Sequence, residues 1–260
     1  MGDALPPQEN GTRARYAPDE IILSEATKDD LTYLAEGYYA SFDAEWHDEV
    51  EPPHLRPENW TSLRVQRLAT RMTPWFSEPN VRIVKATLSP SSSSYDATAP
   101  NRIIGQAMWL LPSRTKTEIV NFWRRDASDI LGWREKMGWT KEFEDELWSS
   151  VDLTKWQDAE FLPWDRAREE YLGGIGHWFL GPIWVLPEHQ GRGLSSMLLK
   201  NASDLADKAD PPEPLYLEAF PDARVVYLRH GYQPLDGVGK EFAMIRNPPE
   251  SLKPLLQKPE

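Results

Sequence analysis

Residues 177–199 read HWFLGPIWVLPEHQGRGLSSMLL. Nine mostly apolar residues lead into a proline-started turn, two glycines and then apolar positions at helical spacing. A strand that passes into a helix through a glycine turn constrains this chain more than any other feature. It calls for a sheet with helices packed on it. It also creates local chemistry, because a helix N-terminus presents unpaired N–H groups and a partial positive charge. Glycines in the preceding loop let an anion come close to those groups. The competing reading is a tight turn that only caps the helix.

The rest of the chain supplies matching elements. Residues 21–42 begin as a short strand, and Thr27-Lys28-Asp29-Asp30 then caps a helix with Leu31, Leu34 and Tyr38 on its apolar face. A second helix is expected over 60–72. VRIVKATL (81–88) alternates and is β-branched, so it reads as a strand, and RIIGQAMWLLP (102–112) reads as its hairpin partner. The Ser- and Pro-rich residues 89–100 between them are expected to form a floppy tip. Pro182 removes a ladder donor from the strand at 177–185, which requires a sheet edge or a bulge there. A helix follows over about 192–208, with Leu194, Met197, Leu198 and Leu205 on one face. Then come a strand at 214–220, a short helix at 221–232 and a strand at 241–246. The order predicts a mixed α/β sheet flanked by helices. Residues 113–176 interrupt it with a helical insertion that holds six of the twelve tryptophans.

Composition narrows the function. There is no cysteine, which closes disulfide scaffolds, Cys-ligated zinc and a cysteine nucleophile together. The formal net charge is −12, which argues against a nucleic-acid-coating protein and favours approach of cationic small molecules. No apolar run reaches the roughly 20 residues that span a bilayer. Residues 1–19 fit neither a signal nor a transit peptide and read as a disordered tail, with 247–260 as a second tail. A cytoplasmic or nuclear location without a membrane partner is the expectation. No His and carboxylate pattern at metal spacing appears, so no metal is expected.

Three phosphate-binding patterns compete for the glycine turn. A nucleotide P-loop needs Lys and then Ser or Thr after its last glycine, and here Leu194 follows Gly193. A dinucleotide fingerprint needs glycine where Ser196 stands. The third pattern is Gln/Arg-x-x-Gly-x-Gly/Ala, and Gln190-Gly191-Arg192-Gly193-Leu194-Ser195 matches it with serine last. This segment resembles the acyl-coenzyme A loop of the GNAT superfamily of N-acetyltransferases. Val185-Leu186-Pro187-Glu188 is similar to the family's lead-in, and Tyr227-Leu228-Arg229-His230-Gly231-Tyr232 to its Y-x-x-x-G-F/Y segment. LYLEAF and IIGQAMW resemble two further strands of the family. The likeness covers about 177–246 in letters and the N-terminal half in element order. The Trp-rich insertion is not shared.

The resemblance implies a domain over 20–246, with 177–246 as the acyl-CoA-binding core and a sheet splayed between its fourth and fifth strands. It implies that acetyl-CoA is the cosubstrate. Pantetheine would pair with Ile183, Trp184 and Val185, and the pyrophosphate would sit on Gln190, Gly191, Arg192, Gly193, Leu194, Ser195 and Ser196. Arg192 could add a charge. Tyr227 matches the family's general acid at the sulfur. An alkylamine with a pKa near 10.4 is neutral in only about one molecule in a few thousand at pH 7, so a base must take its proton. The family often keeps a glutamate on the fourth strand, but HWFLGPIWV has none. Glu218, the one carboxylate in an apolar strand, and His177, at the mouth of the fourth strand, are the candidates. Both also have structural readings. Tyr38, Tyr39, Phe42 and Trp46 lie among carboxylates on the expected acceptor side, where aromatics suit a cation. The reading is an N-acetyltransferase for a small-molecule amine, acting by direct attack in a ternary complex. The alternatives are a protein or peptide N-acetyltransferase, or an inactive acyl-CoA-binding module of the same fold.

Overall fold

The computed structural model describes residues 13–113, 119–237, 239 and 241–257. The alternating VRIVKATL run forms β2 (Val81–Leu88) and pairs with β1 (Ile21–Glu25) on one side and β3 (Ile103–Leu110) on the other. β3 is buried along its whole length, as a central strand should be. β4 (Trp178–Val185), β5 (Leu215–Glu218), β6 (Gln233–Pro234) and β7 (Ala243–Arg246) complete a seven-stranded sheet of order β1-β2-β3-β4-β5-β7-β6. Every neighbouring pair is antiparallel except β4 and β5. This is the expected mixed α/β architecture.

Two helices clamp the sheet centre from opposite faces. α1 (Leu31–Ser41) is started by Asp30, whose carboxylate accepts from Thr27 N (2.8 Å) and from Lys85 Nζ of β2 (2.7 Å). It presses Gly37 against the ring of Trp184: a methyl group built on Gly37 would lie 2.0 Å from that ring. α8 (Leu194–Ala206) covers the other face. A methyl group on Gly105 would meet Leu194 Cδ2 at 3.1 Å and Val185, the neighbour of Trp184, at 3.3 Å. Adjacent strand residues point to opposite faces, so α1 and α8 sandwich β4. The buried positions of α8 are Leu194, Leu198, Leu199, Ala202, Ser203 and Ala206, whereas Leu205, expected on that face, is 41% exposed. α3 (Trp60–Met72) takes its expected bounds, and α2 (Ala44–Val50) forms a helix the sequence pattern did not mark.

The insertion is helical, as expected. It comprises α4 (Ala127–Leu131), α5 (Trp133–Met137), α6 (Lys141–Trp148), a π-helical stretch (Thr154–Phe161) and α7 (Leu162–Leu172). Three of its tryptophans, Trp123, Trp133 and Trp156, join the main core. Trp156 is 1% exposed, donates through Nε1 to Trp123 O (2.6 Å) and packs 5.5 Å from Trp46 of α2.

Three expectations are corrected. The hairpin tip at 89–100 is held rather than loose: Ser92 is buried and donates to Glu20 Oε1 (2.9 Å), and Ser91 donates to Asp19 O (2.9 Å). Within the expected N-terminal tail, residues 13–19 pack on the molecule, with Tyr16 buried; residues 1–12 lie outside the described residues. Within the expected C-terminal tail, Glu250–Leu255 form a 3-10 turn that buries Leu252, and Leu256 bridges to Leu235; residues 258–260 lie outside the described residues. In each case short polar or proline-rich segments gain order from packing that their own periodicity does not announce.

Candidate active site

β4 and β5 pair only at Trp178 with Leu215 and at Phe179 with Tyr216. Beyond that point the strands diverge, and Leu180 to Val185 have no strand partner on their β5 side. The divergence has a local cause. Between Trp109 and Ala107 of β3 the facing strand advances from Leu180 to Ile183, so one extra residue bulges out at Gly181-Pro182. Pro182 thus sits at a bulge and on the open side of its strand. Its carbonyl is used on the closed side, accepting from Gln106 Nε2 at 3.0 Å.

The open strand delivers the chain to the glycine turn. Ile183, Trp184 and Val185 line the divergence, and Gln190 ties the turn back to β4 by donating to Val185 O (2.9 Å). Gly191 and Gly193 adopt φ of 73° and 86°, the left-handed region that side chains resist. This conformation leaves the backbone N–H groups of residues 191–196 without a hydrogen-bond acceptor among the described residues. Six successive donors at the N-terminus of a thirteen-residue helix form a cradle for an anion. Ser195 and Ser196 are half-buried in its first turn and leave room above it. The Arg192 side chain does not face the cradle as expected. Its Nε donates to Ala14 O (3.0 Å), its Nη1 to Tyr16 Oη (2.7 Å) and Ser94 Oγ (3.1 Å), and its plane lies 3.6 Å from the Tyr16 ring.

Glu218 ends β5 at the fork, opposite the bulge. Burial lifts its carboxyl to about 8, with nearby Arg168 opposing the rise and Asp165 adding to it. Arg168 comes from α7 and is fully buried. Its guanidinium lies 3.7 Å from the Phe179 ring and donates to Asp165 Oδ1 at 3.3 Å. Sequence reasoning missed this arginine, because nothing in LPWDRAREEYL separates Arg168 from its solvated neighbours. Tyr227 lies on α9 (Arg224–Arg229), is 6% exposed and packs 5.9 Å from Tyr232. Burial raises its hydroxyl above the ordinary tyrosine value, so it is protonated at neutral pH. His177 is fully buried at the start of β4, with Nδ1 2.7 Å from Ile175 O. Burial, helped by Arg168, lowers its pKa to about 4, which leaves a neutral ring at pH 7.

The expected acceptor residues come together, but as a wall. Tyr38 is 5% exposed and packs 4.9 Å from both Phe42 and Trp123 and 6.3 Å from Trp46. Tyr39 donates to Glu51 Oε1 (2.9 Å), and its ring carries the guanidinium of Arg64 at 3.6 Å. Tyr39 thus already carries a cation of the protein's own. A separate pocket of about 400 Å³ lies between α1 and the hairpin tip, lined by Tyr33, Glu36, Gly37, Ala40, Arg102 and Leu186 among others. None of the expected site residues lines it. Among the described residues no cluster of His, Cys, Asp and Glu is placed to hold a metal, and no helix is long and apolar enough to cross a membrane.

Comparison with known proteins agrees with this geometry. Residues 106–232 match the acetyltransferase (GNAT) family. No curated protein matches the chain. Among solved structures, the histone acetyltransferase HPA2 and related acetyltransferase of Corynebacterium glutamicum is 18% identical, with a TM-score of 0.50 over 88% of this chain and 97% of that one. The paia N-acetyltransferase of Thermoplasma acidophilum, solved in complex with coenzyme A, is 12% identical, with a TM-score of 0.44 over 87% of this chain and 98% of that one. At 18% identity the first of these likenesses is one of fold alone. The family match, just under half of the chain, takes in the diverging strands and the glycine turn, and over those residues the chain is similar to the GNAT acetyltransferases.

Proposed function

We propose that the protein transfers the acetyl group of acetyl-CoA to a small-molecule amine by direct attack within a ternary complex. The observation that carries this reading is the run of unclaimed N–H groups at residues 191–196, set where β4 and β5 part. Those donors suit a diphosphate, and the open edge of Leu180 to Val185 suits the amides of a pantetheine arm. Acetyl-CoA supplies the thioester. The chain has no cysteine, so a cysteine acyl-enzyme is closed to it.

In this reading Glu218 takes the proton of the attacking amine. A carboxyl lifted to about 8 is matched to that task near neutral pH. As the new C–N bond forms and the C–S bond breaks, Tyr227 gives its proton to the departing sulfur. Its buried, protonated hydroxyl has no hydrogen-bond partner among the described residues and is available for this. A backbone N–H at the Gly181-Pro182-Ile183 bulge meets the charge on the carbonyl oxygen. His177 holds the start of β4 through its contact with Ile175 and carries no proton in the cycle. The insertion supports a small acceptor. It packs Trp123 and Trp156 on α1 and α2, where an extended peptide would need an open groove.

Thermal unfolding with and without acetyl-CoA tests the reading. A ligand at a hundred times its Kd stabilises a fold by about 2.7 kcal/mol, a shift of a few degrees for a chain of this size. A clear shift, followed by amine-dependent thiol release, is the expected result. No shift at millimolar ligand would reduce the glycine turn to a helix cap.

A further inference from the structure

The phosphate loop has a second contributor outside the family-matched region. Residues 13–17 cross over it. Tyr16 N donates to Arg192 O (3.1 Å), and Tyr16 Oη lies 2.6 Å from His189 Nδ1 while accepting from Arg192 Nη1. Arg13 Nη1 donates to the carbonyls of Pro187 (3.0 Å) and Glu188 (2.9 Å). The strap therefore fixes both ends of the Pro187–Gly193 turn and takes up the Arg192 side chain. Arg15 is different. It has no acceptor among the described residues, and a methyl group built on Gly193 would lie 3.6 Å from its Nε and 3.9 Å from its Cζ. Its charge stands beside the unclaimed N–H groups and is spent on nothing within the protein.

We propose that residues 13–17 are part of the coenzyme site, with Tyr16 positioning the phosphate loop through Arg192 and Arg15 binding a coenzyme phosphate. This rests on the acetyl-CoA reading above and adds residues to it. The charge distribution supports it. On a chain of net charge −12, Arg13, Arg15, Arg102 and Arg192 converge on one turn. Arg102 is paired with Glu188 at 2.6 Å, Arg192 is bound to the strap, and Arg13 is bound to carbonyls. Only Arg15 of the four keeps its donors for a ligand. A polyanionic coenzyme approaching an acidic protein needs such a local cationic field. Arginine suits phosphate because its planar fork matches two oxygens at once.

The test measures Kd for CoA and for dephospho-CoA by calorimetry on wild type and on Arg15→Gln. The exposed position of Arg15 makes a folding defect a poor explanation of any change. The expected result is a loss of CoA affinity of about five- to tenfold, the scale of one charge-assisted contact at a wet site. If dephospho-CoA binding is untouched by the substitution, Arg15 holds the 3′-phosphate. If both ligands lose alike, it holds the diphosphate. Unchanged Kd for both ligands in R15Q would overturn the assignment and leave the coenzyme reading standing. Failure of wild type to bind either ligand would instead remove that reading, and this one with it. For Tyr16, Tyr16→Phe keeps the ring under Arg192 but removes the hydroxyl. KM for acetyl-CoA should rise several-fold with kcat unchanged, and a fall in kcat at constant KM would overturn the positioning role.

Discussion

Replacing Glu218 with glutamine is the sharpest probe of the proposed chemistry, because the structure sets both its size and its pH dependence. A carboxyl at about 8 is ionised in about one molecule in ten at pH 7 and about nine in ten at pH 9. The part of the rate that needs this base therefore grows about tenfold across that interval. General-base catalysis is worth roughly 10²–10⁴ in rate. The assay is kcat/KM for thiol release by wild type and Glu218→Gln across this range, expressed as their ratio, so that titration of the acceptor amine cancels. The ratio should reach at least about 10² and climb with a midpoint near 8. Stability gives an independent check. A carboxyl raised from 4.5 binds its proton more tightly in the folded chain. The stability it contributes is complete below pH 4.5 and is lost as pH rises through about 8, a cost of about 5 kcal/mol for full ionisation. Glutamine does not titrate, so E218Q should gain melting temperature over wild type at pH 9 compared with pH 5. A variant that keeps the wild-type rate and the same pH profile would refute the assignment of Glu218 as base.

Tyr227→Phe should lower kcat by about 10² while leaving Kd for CoA unchanged, measured by stopped assays and calorimetry; an unchanged kcat would remove Tyr227 from proton transfer. Gly37→Ala should destabilise the fold by about 1–3 kcal/mol in urea titrations, because overlap with Trp184 outweighs the ~1 kcal/mol helix gain of alanine; a more stable variant would mean α1 and β4 are not in the contact described. His47 is buried in α2 with a pKa lowered to about 4, chiefly by desolvation and then by Arg64. The unfolded chain takes up that proton first, so stability should fall by about 3 kcal/mol as pH drops from 6.5 to 4, and His47→Gln should flatten this part of the curve.

The parts legible in the sequence were those with a period or a fixed turn. VRIVKATL alternates, and β2 takes those eight residues. The α3 pattern and the glycine turn behaved likewise, because burial on one face and positive φ leave marks in the letters. Glu218 stood out as a charge in an apolar strand. What did not show was anything set by distant contact. RARYAP reads as polar tail, yet Tyr16 is buried because Arg192 and His189 come to it from more than 170 positions away. An aromatic ring just after two arginines, in Arg13-Ala14-Arg15-Tyr16, was the available signal. Arg192 fits the phosphate motif by letter but spends its side chain on that same strap. Tyr38, Tyr39, Phe42 and Trp46 pack together, but pattern alone did not reveal that Trp123 and Trp156 of the insertion would pack against them.

The insertion is therefore more than a brace. Its apolar residues join α1 and α2, while its last helix delivers Arg168 to the fork of the sheet. A guanidinium with no exposed surface is costly, and Nε and Nη1 of Arg168 have no acceptor among the described residues. Stability alone does not explain it, since an apolar side chain on Phe179 would avoid that cost. Arg124 already pairs Asp165 at 2.7 Å, so neutralising that carboxylate does not require Arg168 either. Its field does reach Glu218, where it opposes the desolvation that drives the carboxyl upward. Burial alone would leave Glu218 protonated and unable to act as a base at neutral pH. The buried arginine moves it back toward the range where it can exchange a proton. The Trp-rich insertion thus supplies the counter-charge for the carboxylate at the end of β5.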